Sequence, residues 1–158
     1  MNENDLLILN FEEVRRRSIK VWKSIPNDLL NWKPDDKAFT CAEMIRHVIE
    51  GEFLYHQILI HRGSAALSAI PNPFETKEFT TVEDDLHFAA PFREEFLKYV
   101  KTLTKSDLES IRIDRSEVGY VRTLGDMLLR IAYHESVHTG QLLDYMRTMR
   151  IDRPNIWD

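Results

Sequence analysis

The sequence predicts an all-α protein: a four-helix bundle of long up-and-down helices, with one long loop between the second and third. Three observations predict it. Apolar residues recur at three- and four-residue steps through most of the chain. Only five glycines interrupt that pattern. The periodic stretches number four, and each has one apolar face that it can bury only against the others. With 158 residues the chain is the size of one ordinary domain, so residues 1–158 read as a single unit with one core.

The first helix is expected from about Asn4 to Lys23, with Leu7, Phe11, Val14, Ser18 and Val21 as its stripe. Pro26 ends it, since proline has no N–H to continue the ladder. A loop with Trp32 and Pro34 follows. The second helix opens at Thr40, where Glu43 three residues on makes a capping-box pattern. Met44, Val48, Tyr55 and Leu59 line one side, and the helix stops near Gly63. The stretch GSAALSAIPNPFETKEF then reads as a long loop. A third helix is expected after Thr80, with Glu83 at the capping-box position, running to about Leu103; Pro91 inside it is expected to kink or split it. IRIDRSEVGYVRT alternates weakly, as a short extended pair or a loop. The fourth helix runs from Thr123 to about Met149. Leu124, Leu128, Ile131, His138, Leu142, Tyr145 and Met149 fall on its a/d-like stripe.

Composition excludes several classes of function. Apolar residues make up 43% and charged residues 30%, the balance of a globular protein. No run of eighteen apolar residues occurs, so no membrane span is expected. The start, MNENDLLILNFEEVRRR, lacks the order of an export signal. Cys41, the single cysteine, has no internal partner, and the expected location is the cytoplasm. A net charge of −5 argues against nucleic acid as a partner. The densest basic cluster, Arg15-Arg16-Arg17, reads as a solvated helix face beside Glu12 and Glu13.

The chemistry centres on HESVH, residues 134–138. Residues four apart on a helix lie one above the other, so His134 and His138 aim at a common point. They sit on the inward side, between Ile131 and Leu142, where ring nitrogens need partners. A divalent ion satisfies both. The spelling is also that of zinc proteases, but such a site needs a third ligand further along the chain. No glutamate follows Glu135, and where the alternative pattern needs glycine and histidine the chain has Gln141 and Asp144. On a continuous helix Asp144 lies about 240° around from His138. A third ligand is therefore expected from another helix. His47 is the best candidate, on a face with Met44, Gly51, Leu54 and Ile58, and Gly51 leaves room beside the ring. His56, His61 and His87 read as surface histidines. Glu50, one turn from His47, is an alternative ligand, a base or a solvated charge. Cys41 lies in the first turn of the second helix, which can lower a thiol pKa, but buried filler is its expected role.

Trp32-x-Pro34, Thr40-x-x-Glu43-x-x-x-His47 and His134-x-x-x-His138-x-Gly140-Gln141-Leu142 together resemble the DinB/YfiT-like family of metal-dependent enzymes, over nearly the whole chain. The resemblance implies a four-helix bundle with His47, His134 and His138 as ligands. It implies zinc, nickel or a similar divalent ion, and homodimers are common in the family. Some members are thiol transferases or isomerases that use bacillithiol, mycothiol or glutathione; others are assigned only as metal-dependent hydrolases. Glu135 points about 100° away from the ligand pair, so its place in HExxH is a coincidence of spelling. Its remaining role would be as an acceptor behind a ligand ring.

Three protein ligands leave a coordination position open, as in catalytic rather than structural sites. The expected function is a metal-dependent S-transferase or hydrolase acting on a small molecule, with Gln141 orienting a bound ligand or bridging helices. The alternative is a non-enzymatic metal-binding, stress-response or dimerisation protein of the same fold.

Overall fold

The computed structural model describes residues 1–158. Five helices and one two-stranded hairpin make up its regular structure, in the order α1 (Glu3–Ser24), α2 (Cys41–Ile60), α3 (Val82–Thr102), α4 (Lys105–Ser110), β1 (Arg112–Arg115), β2 (Tyr120–Thr123) and α5 (Leu124–Met149). The hairpin corrects the all-α expectation, and α4 adds a fifth helix. None of the helices is long and apolar enough to cross a membrane.

Capping side chains set most helix starts. Asn2 and Asp5 form a capping box at α1, and Thr40 and Glu43 form the expected one at α2. At α3 the box is displaced: the cap is Thr81, whose hydroxyl accepts from the Asp84 N–H, and Glu83 has no part in it. Thr104 and Asp107 start α4 within three residues of the end of α3, an extra turn that the apolar periodicity does not mark. Thr123 caps α5, which starts within a residue of its expected place. Pro91 neither splits nor ends α3. It is exposed, while Phe96 and Val100 on the inner face are fully buried and hold the helix to the core.

The hairpin is the extended pair allowed by the sequence. Arg112 pairs with Thr123 and Arg115 with Tyr120, around a turn whose Gly119 has φ 93°, a conformation that suits glycine. Ile113 anchors it in the core. Gly63, just beyond α2, packs on this hairpin so closely that a Cβ would sit 2.6 Å from the Asp114 carbonyl oxygen. The long loop is thereby tied down at its start, and Phe74 buries its middle.

Among the long helices, α1 packs on α5 and α3, and α2 packs on the same two. The consecutive helices α1 and α2 thus lie across a diagonal rather than side by side. The core has two apolar clusters. One holds Val21, Trp22, Ile45, Phe74 and Leu142; the other holds Phe11, Leu59, Phe96, Leu128 and Ile131. Between them, at the same level on all four long helices, lies a buried polar layer. Arg15 on α1 donates to Glu135 on α5 through Nε at 2.8 Å and Nη2 at 3.0 Å, and lies 3.3 Å from Glu52 on α2. Arg93 on α3 also pairs with Glu52 and donates to the Phe11 carbonyl at 3.0 Å. Ser18 and Thr139 share a hydrogen bond of 2.7 Å beside it. Arg16 and Arg17 do lie at the surface, but Arg15 is 5% exposed and is a core residue, which corrects the reading of the basic cluster.

His56 is a second correction. It is 6% exposed, packed edge-on against Phe96 and at a tilt against Tyr99, with an unpartnered Nε2. Burial lowers its pKa, against an opposing pull from Glu95. The unfolded chain therefore takes up the proton first, so the stability that the neutral ring gives is complete above about pH 6.5 and is lost as pH falls below it. His56→Leu is expected to flatten the acid side of the stability–pH curve relative to the parent. Urea midpoints measured between pH 5 and pH 8 check this.

Candidate metal centre

His47 on α2 and His134 and His138 on α5 converge, each offering one ring nitrogen, and these nitrogens all lie within 4.8 Å of one another. Their Nε2 atoms bring His134 and His47 to 3.0 Å. The three ring centroids are 4.6–4.9 Å apart. The expected three histidines are thus brought together, and His56, His61 and His87 are not part of the group. The local cause is simple. The i, i+4 spacing stacks His134 over His138, and packing of α2 on α5 brings His47 against both.

Electrostatics suit the group to a cation ligand. Burial, then the neighbouring His138 and His47, lowers the His134 pKa to about 4. Burial and His138 lower that of His47 as well. At neutral pH these rings are neutral, with a lone pair to offer. His138 Nδ1–H donates to Gln141 Oε1 at 2.7 Å, which leaves Nε2 as the coordinating atom. A side-chain acceptor behind a ligand ring fixes its tautomer and orientation. Two nitrogens each about 2.0–2.1 Å from one tetrahedral ion stand roughly 3.3 Å apart, close to the 3.0 Å between His134 and His47. The donor set therefore suits a divalent ion.

Neither carboxylate singled out by the sequence joins it. Glu50 accepts from Asn72 Nδ2 at 2.6 Å and so ties α2 to the long loop. Glu135 turns into the polar layer, where its hydrogen bonds go to Arg15. Cys41 is fully buried and its thiol is pushed up to about 11 by burial, which suits filler rather than a nucleophile.

Gly51 makes room for a ring, but the ring is that of His134: an added Cβ would meet its Cε1 at 3.4 Å. That is ordinary contact for a methyl group and too little space for a branched side chain. Gly51→Ala is expected to keep the metal and raise stability by up to about 1 kcal/mol through helix propensity. Gly51→Val is expected to push His134 aside and weaken zinc binding at least tenfold, as read by competition with a chromophoric chelator.

Beside His47 and His134 opens a cleft of about 220 Å³, walled by Leu54, Ile58 and Leu67, with Tyr55 and Arg115 also facing it. The Tyr55 ring stands edge-on to His134, with centroids 5.7 Å apart. Sequence reasoning missed Arg115 altogether. It lies 19 residues before His134 in a segment with only weak alternation, and the hairpin alone brings it to the site.

Comparison with known proteins bears on the fold and the family. A DinB-like protein from Bacillus subtilis, YjoA, has a similar fold, with a TM-score of 0.71 at 20% identity over 96% of each chain. Among curated proteins, none matches the chain significantly in sequence. The family profile described as the DinB superfamily matches residues 10–142, a span that takes in all three histidines, and the chain belongs to that superfamily.

Proposed function

We propose that this chain is a divalent-metal-dependent enzyme of small-molecule substrates, a thiol-dependent S-transferase, built on a four-helix bundle. The observation that carries the proposal is the convergence of His47, His134 and His138 at the edge of a cleft. These three would hold the ion, zinc or nickel. When bound, it supplies Lewis acidity that lowers the pKa of a coordinated thiol or water.

The chain's own residues do the rest. Gln141 holds the His138 ring in its coordinating tautomer. Leu54, Ile58 and Leu67 exclude water from one side of the cleft. No carboxylate lines that cleft to take a proton from water, and a thiol gives up its proton far more readily, which favours thiol transfer over hydrolysis. Cys41 is buried away from reaction, so the thiol must be a separate low-molecular-weight co-substrate. The test is turnover by zinc- or nickel-loaded protein, with bacillithiol, mycothiol or glutathione and an aryl halide or an epoxide. Rates above solution that chelator abolishes are expected. No turnover with any thiol, and none with activated esters, would put the non-enzymatic reading first.

A further inference from the structure

The cleft beside the histidines has one cationic side chain in its wall and no anionic one. That side chain is Arg115. Its Nη1 donates to the Tyr120 hydroxyl at 3.2 Å and its Nε to Ser64 Oγ at 3.3 Å. Its only carboxylate neighbour is Glu117, at a long 3.5 Å, half-exposed and also bonded to the Ser64 hydroxyl. Such a pair is weak. Arg115 Nη2 has no partner in the protein, and neither does the Tyr55 hydroxyl.

A second cation stands behind the first. Arg130, one turn before His134 on α5, lies over the opposite partner of the hairpin, with its guanidinium carbon 4.5 Å from the Tyr120 ring centroid. Arg115 is 5.7 Å from the same ring. Arg130 Nε is buried without a hydrogen-bond partner, and no carboxylate pairs with this side chain. Burial, then Tyr120, raises the pKa of the Tyr55 hydroxyl, and Arg115 and Arg130 oppose that rise only in part. The wall of the cleft thus carries a fixed positive field with unused donors, beside apolar side chains and the two histidines His47 and His134.

The cleft is smaller than the roughly 300–1,000 Å³ of drug-sized sites. It admits a short molecule, or the acidic end of a larger one. We infer that Arg115 and the Tyr55 hydroxyl form a carboxylate-binding subsite, so that the ligand of this cleft is a short aliphatic molecule with an anionic group at one end. A guanidinium with an unpaired Nη2 suits a carboxylate, and the Tyr55 hydroxyl in the wall of the same cleft is a second unpaired donor. The inference rests on the proposed metal site only for what occupies the other end. The anionic group belongs either to the thiol or to its electrophile; the chemistry at Arg115 is the same.

The probes are 3-mercaptopropionate and 3-mercapto-1-propanol, which differ only at the end opposite the thiol. Calorimetry on zinc-loaded parent is expected to show the acid binding at least tenfold more tightly. In Arg115→Met the acid should fall to the level of the alcohol, whose affinity and the zinc content are unchanged; Arg115→Lys should restore part of the difference. Equal affinity of the parent for two thiols that both bind, or the same preference in Arg115→Met, overturns the inference, the latter because the carboxylate is then bound elsewhere. A metal-free arm separates this from failure of the metal reading. Butyrate, but not 1-butanol, should shift the amide resonances around Arg115 and Tyr55 in chelator-treated protein, and not in Arg115→Met. Absence of that shift also counts against the subsite, whatever the zinc result. If butyrate shifts those resonances but neither thiol binds the zinc-loaded protein, the subsite stands and the thiol reading falls.

Discussion

His134→Ala is expected to leave the protein folded and without metal. Untagged parent should carry zinc or nickel at close to one ion per chain, and the variant almost none, by elemental analysis after dialysis. His134 is the residue to change because it is central to the group. It reaches His47 at 3.0 Å, it stacks over His138, and Gly51 is shaped to its ring. Removing it leaves two ligands on different helices and an empty space at the cleft wall. Gln141→Ala gives a graded comparison. It removes only the acceptor behind His138, and loss of such a supporting group lowers metal affinity roughly 10–100-fold. Loss of a ligand should exceed that. The fold should not suffer in either variant, because the substituted side chains are not fully buried and make no part of the polar layer that joins the four long helices. Parent that holds no metal even after incubation with zinc and nickel would sink the metalloenzyme reading.

The parts of the site that could be read from the sequence are those that local geometry determines. His134 and His138 share a face on any α-helix, whatever packs on it, and the Thr40–Glu43 box sets the start and phase of α2 and so the side on which His47 falls. The apolar stripe of α5 misplaced that face: Glu135 and Thr139 take the buried side with Ile131 and Leu142, and His134 and His138 stand half-buried beside it rather than inward. Features that depend on partners remote in sequence were not legible. Arg15 looks like one member of a surface cluster because its partner carboxylates lie 37 and 120 residues away. Yet the stripe Phe11, Arg15, Ser18, Trp22 runs at helical spacing, and a charge on that stripe was a signal of a buried pair. His56 was misread for the same reason: its burial comes from Phe96 and Tyr99 on another helix. Arg115 had no local signal at all. Pro91 carried a strong local signal for a break, which packing of the rest of α3 overrode.

Glu135→Ala is expected to cost more stability than any histidine change, and to do so without direct contact with the metal. Its carboxylate takes two hydrogen bonds from Arg15, and both side chains are about 6% exposed. Removing it leaves Arg15 with only Glu52, which Arg93 also claims, in a layer where two cations and two carboxylates now balance. Breaking one partner of a buried pair costs about 3–5 kcal/mol, because the remaining charge has lost its counterpart but not its burial. For a chain of this length that is a fall in Tm on the order of 10 °C. Arg15→Met alone should cost a similar amount, this time by stranding Glu135. The double variant Arg15→Met, Glu135→Leu should recover much of the loss, since an apolar pair of like volume removes both desolvation costs. Differential scanning calorimetry on metal-free protein reads all three. Strictly additive losses would mean that the two side chains do not act as a pair. If Glu135→Ala instead kept its stability and lost only turnover, Glu135 would be acting at the histidine site after all, and the HExxH spelling would carry chemistry. The geometry predicts the reverse: the glutamate between the two histidines is turned toward the core, where it clamps α5 to α1 at the level at which the ligand face begins.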